Sequence, residues 1–396
     1  MDGEVADIRT MSRDNDGEEE EENKGTLLSW KNDILPDELL QKVLSLLPID
    51  NIIKLGIVCK RWYEVVYSRP SLWTMMATEK PPAPWFFLWC FNDCPLPGLV
   101  YEPSLLWWHN FGFPGLEKSI WRASSSYGLV CLMDCKDKSR LLVCNPITRD
   151  WKWLPRVPGG SSPDYNALAL SFDRRTRGYT VVFAKCARAH MPSNYHRWHF
   201  SVRVYESTTQ SWATPFAGDL GWWEGGDEGV VCDGVLYYVI HQMREQRPHL
   251  VAFDLAKPPS TVQSLIREAI PAPCPRHTFA RLINLSDKLI MVGVSGRGHG
   301  LVSRLTIWEL EEDKTWREVS RLPIEMYSSF CAVRDDFICC GAGDLVFIQC
   351  LERPMLLLMF DMRRKDWKTN WCGYNSQFEN KLFRGFCFEP RLDVAP

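Results

Sequence analysis

Tryptophan recurs in this chain with a fixed companion. Five times an extended apolar stretch ends in Glu, Asp or Asn, a short turn follows, and a tryptophan opens the next stretch six or seven positions later. The copies are Glu102 to Trp108, Asn145 to Trp151, Glu206 to Trp212, Glu309 to Trp316 and Asp361 to Trp367. A degenerate copy starts at Asp254, with Val262 standing where the tryptophan is due. The tryptophan spacings are 43, 61, 104 across the degenerate copy, and 51, which average close to the roughly 50 residues of one supersecondary unit in a repeat array. Between these marks, short runs of aromatic and β-branched residues alternate with Gly, Pro, Asp and Asn turns, and no long helical period appears. A four-stranded sheet cannot bury both faces alone, but six stacked radially can, so residues 85–396 are expected to form an all-β propeller of six blades with the tryptophans packed between neighbours. Asp233-Gly234, Ser286-Asp287 and Asp335-Asp336 read as the first hairpin turn of three blades. The ending KLFRGFCFEPRLDVAP reads as one more strand, closing the ring against a first blade that Trp85 to Phe91 and Tyr101 onward only partly supply.

Ahead of the repeats the composition differs. Residues 1–29 form an expected disordered acidic tail: within 1–26, ten acids face three bases, net −7 against −3 for the whole, so the other 370 residues carry +4. From Asp33 to Trp73 the pattern turns helical. Pro36 suits a first helical position, Asp37 and Glu38 complement the helix dipole, and Leu39, Leu40, Val43, Leu44 and Leu47 recur at helical spacing until Pro48. Asp50 is expected to cap a second helix carrying Ile52, Ile53 and Leu55, and Val58, Trp62, Val65 and Val66 line a third. A three-helix unit of roughly 40 residues is near the lower size limit for independent folding, so apolar side chains this dense imply a partner or a neighbouring domain that covers them. Residues 76–84, with Lys80-Pro81-Pro82-Ala83-Pro84, read as a proline-rich hinge.

These residues also carry a resemblance. Leu35-Pro36, Leu39-Leu40, Val43-Leu44, Leu47-Pro48, then Val58-Cys59-Lys60-Arg61-Trp62 and Leu72-Trp73 resemble, in order and spacing, the F-box by which substrate receptors dock onto the Skp-type adaptor of SCF ubiquitin ligases. The resemblance places an F-box over residues 30–75 and implies that Leu35, Pro36, Leu39, Val43, Leu47, Ile52, Val58, Cys59 and Trp62 form its adaptor-facing and internal packing surfaces. The region beyond is similar to the kelch-type propellers that follow F-boxes in a large plant family. Cys144-Asn145-Pro146-Ile147-Thr148, Gly128-Leu129-Val130-Cys131 and Gly385 through Leu392 look close to the Hawaiian Skirt group, although the double glycine of a standard kelch repeat is mostly missing.

Little in the chain points to chemistry of its own. His190, His196 and His199 lie within ten residues, but without a fixed short-turn spacing or an accompanying cysteine pair, so no metal and no cofactor is expected. Gly293, Gly296, Gly298 and Gly300 are followed by neither GKS/GKT nor a helix, and read as a flexible loop. Fifteen cysteines, without CxxC pairs and with Cys339 beside Cys340, argue against a secreted disulfide framework. The acidic start lacks the features of a secretion signal, and the longest apolar runs fall far short of the about 20 residues a spanning helix needs. Residence in the nucleus or cytoplasm, or both, is expected.

A binding face is easier to place. In a four-stranded blade the loops between second and third strands share one end of the ring with the loops between blades. The former span Met133 to Ser139, Lys185 to Trp198, His241 to Pro248, Val294 to Ser303 and Cys350 to Pro354; they differ in length and are rich in Lys and Arg. Candidate target contacts on this face are Arg188, Arg197, Trp222, Trp223, Arg244, Arg247, Arg297 and His299, the basic residues suiting acidic or phosphorylated partners and the tryptophans suiting binding hot spots. Three functions follow. The first is a non-catalytic substrate receptor that holds a Skp-type adaptor, and through it a cullin, on its helices and a target protein on its propeller. The others are an F-box scaffold outside any ligase and a propeller enzyme with a helical cap, which would need copper or another cofactor.

Overall fold

The computed structural model describes residues 35–68, 70–79, 83–90, 98–112, 121–159, 165–188, 197–242, 247–274, 280–295, 304–330, 337–351, 353, 355–372 and 383–396. The acidic tail lies outside them, as do Arg244, Arg297, His299, His190, His196 and Asp335-Asp336.

The N-terminal part is helical: α1 (Asp37–Ser45), α2 (Ile49–Leu55), α3 (Lys60–Tyr63), a single π turn (Glu64–Ser68) and α4 (Pro70–Glu79). Both prolines that open a helix stand one place outside it. Pro36 and Pro48 occupy the cap positions with extended ψ of 148° and 146°, so Asp50, expected to cap α2, lies inside it. The fixed proline φ sets the chain direction and the helix starts at the next residue. The fourth helix was not legible as amphipathic, being apolar nearly all round in Leu72, Trp73 and Met76, and it carries the helical region to Glu79, into the stretch assigned to the hinge.

Beyond it stand six four-stranded antiparallel sheets. From inside out, blade 1 is Phe383–Phe388, Trp85–Cys90, Gly98–Glu102 and Trp107–Phe111; blade 2 is Trp121–Ser126, Leu129–Asp134, Leu141–Asn145 and Asp150–Trp153; blade 3 is Tyr165–Phe172, Tyr179–Arg188, Trp198–Glu206 and Ser211–Gly221. Blade 4 is Trp223–Cys232, Val235–Gln242, Pro248–Asp254 and Ile270–Pro271; blade 5 is Ala280–Leu285, Lys288–Ser295, Arg304–Leu310 and Trp316–Arg321; blade 6 is Phe337–Ala342, Leu345–Cys350, Leu356–Asp361 and Asp366–Trp371. Each inner strand touches the inner strands of both neighbours, and the contacts run unbroken around the ring. Blade 1 is the joint: the C-terminal strand pairs with Trp85–Cys90 over six residues, from Trp85 opposite Phe388 to Cys90 opposite Phe383. One buried cluster links the helices to the ring, running from Leu40, Leu44 and Trp73 to Trp85, Phe87, Trp121 and Phe386.

The repeat read in the sequence has a mechanical basis. The residue two places before each tryptophan has positive φ: Leu106 (53°), Arg149 (64°), Gln210 (52°), Lys314 (64°) and Lys365 (57°). The preceding acid or Asn holds the turn from its other end. Asp361 Oδ1 accepts the amide hydrogens of Arg363 and Arg364 at 2.9 Å, and Asp254 Oδ1 those of Ala256 and Lys257 at 2.9 and 3.1 Å. Four of the five tryptophans then pair across strands with the residue just before the acid or Asn, which is aromatic in three copies: Tyr101 with Trp108, Tyr205 with Trp212 and Phe360 with Trp367, at centroid distances of 5.2, 5.5 and 4.7 Å; Trp316, one place later in its copy, pairs with Leu310.

The tryptophans pack between neighbouring blades as expected, with Trp108, Trp212, Trp316 and Trp367 lying against buried clusters that span two blades, but they do so from the rim and not as buried core. They sit on the outermost strands and keep partial solvent exposure, Trp151 being half exposed. Three of them add a hydrogen bond between blades: the indole N–H of Trp212 donates to Pro155 O at 2.8 Å, that of Trp316 to Pro271 O at 2.9 Å, and that of Trp367 to Ser320 Oγ at 2.9 Å, each reaching back to the preceding blade. In the degenerate copy Thr261 caps a short helix, α5 (Val262–Arg267), its Oγ1 accepting from Ser264 N at 3.1 Å. Val262 is buried against Gly218 of blade 3, where a Cβ would meet Val262 Cγ2 at 2.4 Å, so valine takes over the inter-blade packing. Asp233-Gly234 and Ser286-Asp287 are first hairpin turns with positive φ at both residues, as expected. In blade 6 that turn is Gly343-Asp344, and Asp335-Asp336 precedes the inner strand instead.

Two outcomes test this account. Removing residues 383–396 strips blade 1 of its inner strand and is expected to abolish the cooperative thermal transition of the propeller. At Lys365, Gly should be neutral or stabilising by up to about 1 kcal/mol and Val destabilising by about 1–2 kcal/mol, because a β-branched side chain tolerates positive φ least; denaturant midpoints measure both.

Candidate functional site

Helix α1 has two apolar faces. Leu40 and Leu44 point inward with Gln41, whose Oε1 accepts from Ser71 Oγ of α4 at 2.9 Å. Leu39, Val43 and Leu46, spaced i, i+4 and i+7, point the other way, and with Ile57 and Val58 they are between 50% and 77% exposed. The frame beneath them is satisfied within itself. Arg61 Nε donates to Asp37 Oδ1 at 2.9 Å and its other end reaches Leu35 O, tying α3 to the start of α1, while Trp73 Nε1 donates to Val66 O at 2.7 Å. Of the residues assigned from the sequence, Leu35, Pro36, Leu39, Val43, Val58 and Cys59 are on the surface and Leu47 and Trp62 half-buried. Ile52 is fully buried and belongs to the frame, not to a docking face. Leu46 and Ile57, among the most exposed apolar residues of the unit, were missed; the i+7 relation of Leu46 to Leu39 was the available signal.

The propeller's loop end brings part of the second set together. Trp198 lies opposite both Arg188 and Gly221, so Arg188, Trp198 and the following Trp222 gather at one end of blade 3, with the Arg188 guanidinium over the Trp198 ring at 5.0 Å. Trp222 is 65% exposed; Trp223 is half-buried and meets His249 edge-on at 4.9 Å. Arg197 and Arg247 are exposed on the same end, and His199 Nδ1 is 3.0 Å from Asp219 Oδ1.

A third feature was not read from the sequence. The inner strands surround a channel of about 240 Å³ crossed by charge. A bulge between Gly225 and Gly229 in the inner strand of blade 4 puts Asp227 and Glu228 among the lining residues. Arg122 of blade 2 reaches Asp227 Oδ2 at 2.5 Å and Asn166 O at 2.8 Å; Arg281 of blade 5 donates to Glu228 Oε1 at 2.7 Å and to Phe337 O of blade 6 at 2.9 Å. Burial works against the Asp227 carboxylate, yet Arg122 and Arg281 outweigh it and hold its pKa below the usual range, whereas burial pushes the Glu228 carboxyl up despite Arg281. Arg122, Arg281 and Arg384 are each the second residue of an inner strand, a regularity visible only once the blades are aligned.

Against known proteins, residues 33–79 match the F-box-like family and residues 117–371 match the F-box associated beta propeller domain. The chain belongs to the plant F-box/kelch-type family. It is 37% identical to an F-box/kelch-repeat protein of Arabidopsis thaliana, over 92% of this chain and 90% of that one. A second F-box/kelch-repeat protein of Arabidopsis thaliana is 27% identical over 92% and 88%, and SKP1-interacting partner 15 of the same plant is 26% identical over 91% and 98%. This F-box protein thus shares both its helical unit and its propeller with relatives of nearly the same length, and nothing in the family descriptions names a catalytic activity.

Breaking the channel network should cost stability. Glu228→Gln leaves Arg281 with only Asp227, 4.0 Å away, as a charge partner and is expected to destabilise the propeller by about 1–3 kcal/mol, read from denaturant unfolding.

Proposed function

We propose that this F-box protein is the substrate-recognition subunit of an SCF-type E3 ubiquitin ligase, acting in the nucleus, the cytoplasm or both. The observation that carries the proposal is the apolar face of Leu39, Val43, Leu46, Ile57 and Val58, left exposed on a helical frame whose own core is complete. Burying each such side chain is worth roughly 1.5–3 kcal/mol, enough in sum for a specific protein partner. A Skp-type adaptor fits that requirement, and the relative named as SKP1-interacting supports it. The adaptor would bring a cullin, and the loop end of the propeller, with Arg188, Arg197, Arg247, Trp222 and Trp223, would hold an acidic or phosphorylated target. In that role the chain supplies no nucleophile; it raises the effective concentration of the target at a ubiquitin-conjugating enzyme held nearby. The Cys144-to-Thr148 and Gly385-to-Leu392 stretches support a place in the Hawaiian Skirt-like part of the family.

The test is co-purification with a Skp-type adaptor. Leu39→Asp/Val43→Asp alters two exposed positions and should weaken capture at least about 100-fold with the fold intact, whereas Leu40→Asp should unfold the helical unit. Capture unchanged in the double variant would overturn the proposal. Adaptor binding without an accompanying cullin would instead favour the scaffold reading.

A further inference from the structure

The charges lining the channel are not evenly spread. Arg122, Arg281 and Arg384 enter at the start of their inner strands, the end shared with the inter-blade loops, and meet only Asp227 and Glu228 there; Arg174, Asp287 and Glu389 lie toward the opposite end. Among the described residues, the loop-side mouth therefore holds three guanidiniums against two carboxyl groups. Two of the three are accounted for, Arg122 by Asp227 and Arg281 by Glu228. Arg384 makes no ion pair and no hydrogen bond among the described residues. The nearby acid Asp134 is already engaged, its Oδ1 accepting from Lys136 N at 2.8 Å and its Oδ2 lying 3.7 Å from Arg140. Burial, reinforced by Arg122, presses the Arg384 pKa below the ordinary arginine value. A cation held in this way raises the energy of the empty site, and a bound anion would remove the penalty.

A second donor waits beside it. Trp89 stands directly opposite Arg384 in the pairing of the second and inner strands of blade 1, so their side chains leave the same face of the sheet. Trp89 lines the channel, is 8% exposed, and its indole N–H is buried with no acceptor. Its ring is fixed by Phe87, stacked at 6.1 Å, and by Phe386 at 5.4 Å. An orphan N–H and a guanidinium with no ion pair among the described residues thus leave one sheet face from paired positions, with the Arg122 and Arg281 charges adding to the field.

We propose that the loop-side mouth of the propeller channel binds a small anion of the phosphate or carboxylate class, with Arg384 as its counter-charge and Trp89 Nε1–H as a neutral donor. The channel as a whole, about 240 Å³, is larger than a small anion. The site draws on blades 1 and 2 and none of the exposed helical residues, so it stands whether or not an adaptor binds.

Thermal unfolding of the full chain tests it, in inorganic phosphate or malonate at about 10 mM against chloride of equal ionic strength, with titration calorimetry of the same anions. One of the two anions should raise Tm by at least about 2 °C. Arg384→Gln should lose that shift while unfolding in chloride no earlier than the wild type, since it removes an unpaired buried charge. Trp89→Phe, which keeps the ring and the charge, should weaken anion binding about 5–10-fold, a reading that remains available if Arg384→Gln fails to fold. Arg364→Gln, on an exposed outer turn, should retain the full shift. No anion-dependent shift or heat in the wild type would overturn the proposal, as would an equal response in wild type, Arg384→Gln and Trp89→Phe.

Discussion

Closure of the ring is the constraint from which the rest follows. Six sheets each leave two apolar faces to cover, and an open stack would expose one at either end; joining the two ends of the chain in blade 1 removes both. The joint is reinforced beyond the strand itself. Asn145 Nδ2 donates to Arg391 O at 3.0 Å and Val394 O at 2.8 Å, drawing the last residues onto blade 2 while its Oδ1 still accepts the turn amide of Ile147 at 2.9 Å. This explains why one copy of the repeat carries Asn where all the others carry an acid: a carboxylate could hold the turn but could not donate to the C-terminal carbonyls. Arg391 completes the clasp, paired with Asp393 at 2.8 Å, stacked over Tyr127 at 3.6 Å, and packed against Gly128, whose φ of 87° and lack of Cβ leave room for it.

The helical unit depends on the same joint. Its buried side chains continue into Trp85, Phe87 and Phe386, contributed by both partners of the closing pair. The helices therefore rest on a seam that exists only when the ring is shut. Their inward residues are consumed by this packing and their outward ones are not, so α1 has Leu40 and Leu44 in the joint on one side and Leu39, Val43 and Leu46 exposed on the other.

The sequence displayed the blade count and the closing strand because both rest on local chemistry: an acid that accepts turn amides, a residue driven to positive φ, and a tryptophan two places later. It also displayed the helices, whose start signals are prolines. It hid what depends on depth and on register between blades. Ile52 and Leu39 look alike in a helical pattern, and only packing separates the buried from the exposed. The tryptophans suggested interior because of their size, yet their indole N–H needs an acceptor, and the acceptors lie at the rims of the preceding blades. The channel arginines were silent for a related reason. Arg122, Arg281 and Arg384 are far apart in the chain and share only an ordinal place within their strands, while the bulge that supplies their acids follows a Gly-Gly pair easily read as a loop.

The order in which the chain is made gives the joint another meaning. Residues 37–79 are made before the strand 383–388, so a chain without that strand possesses the outward helical residues without a finished ring. Because the seam under the helices needs that last strand, a chain lacking it loses the support for the exposed face of α1 together with its propeller. Ring and helical support thus share one late contact: the strands Phe383–Phe388 and Trp85–Cys90 must meet before either the propeller or the seam beneath the helices is built.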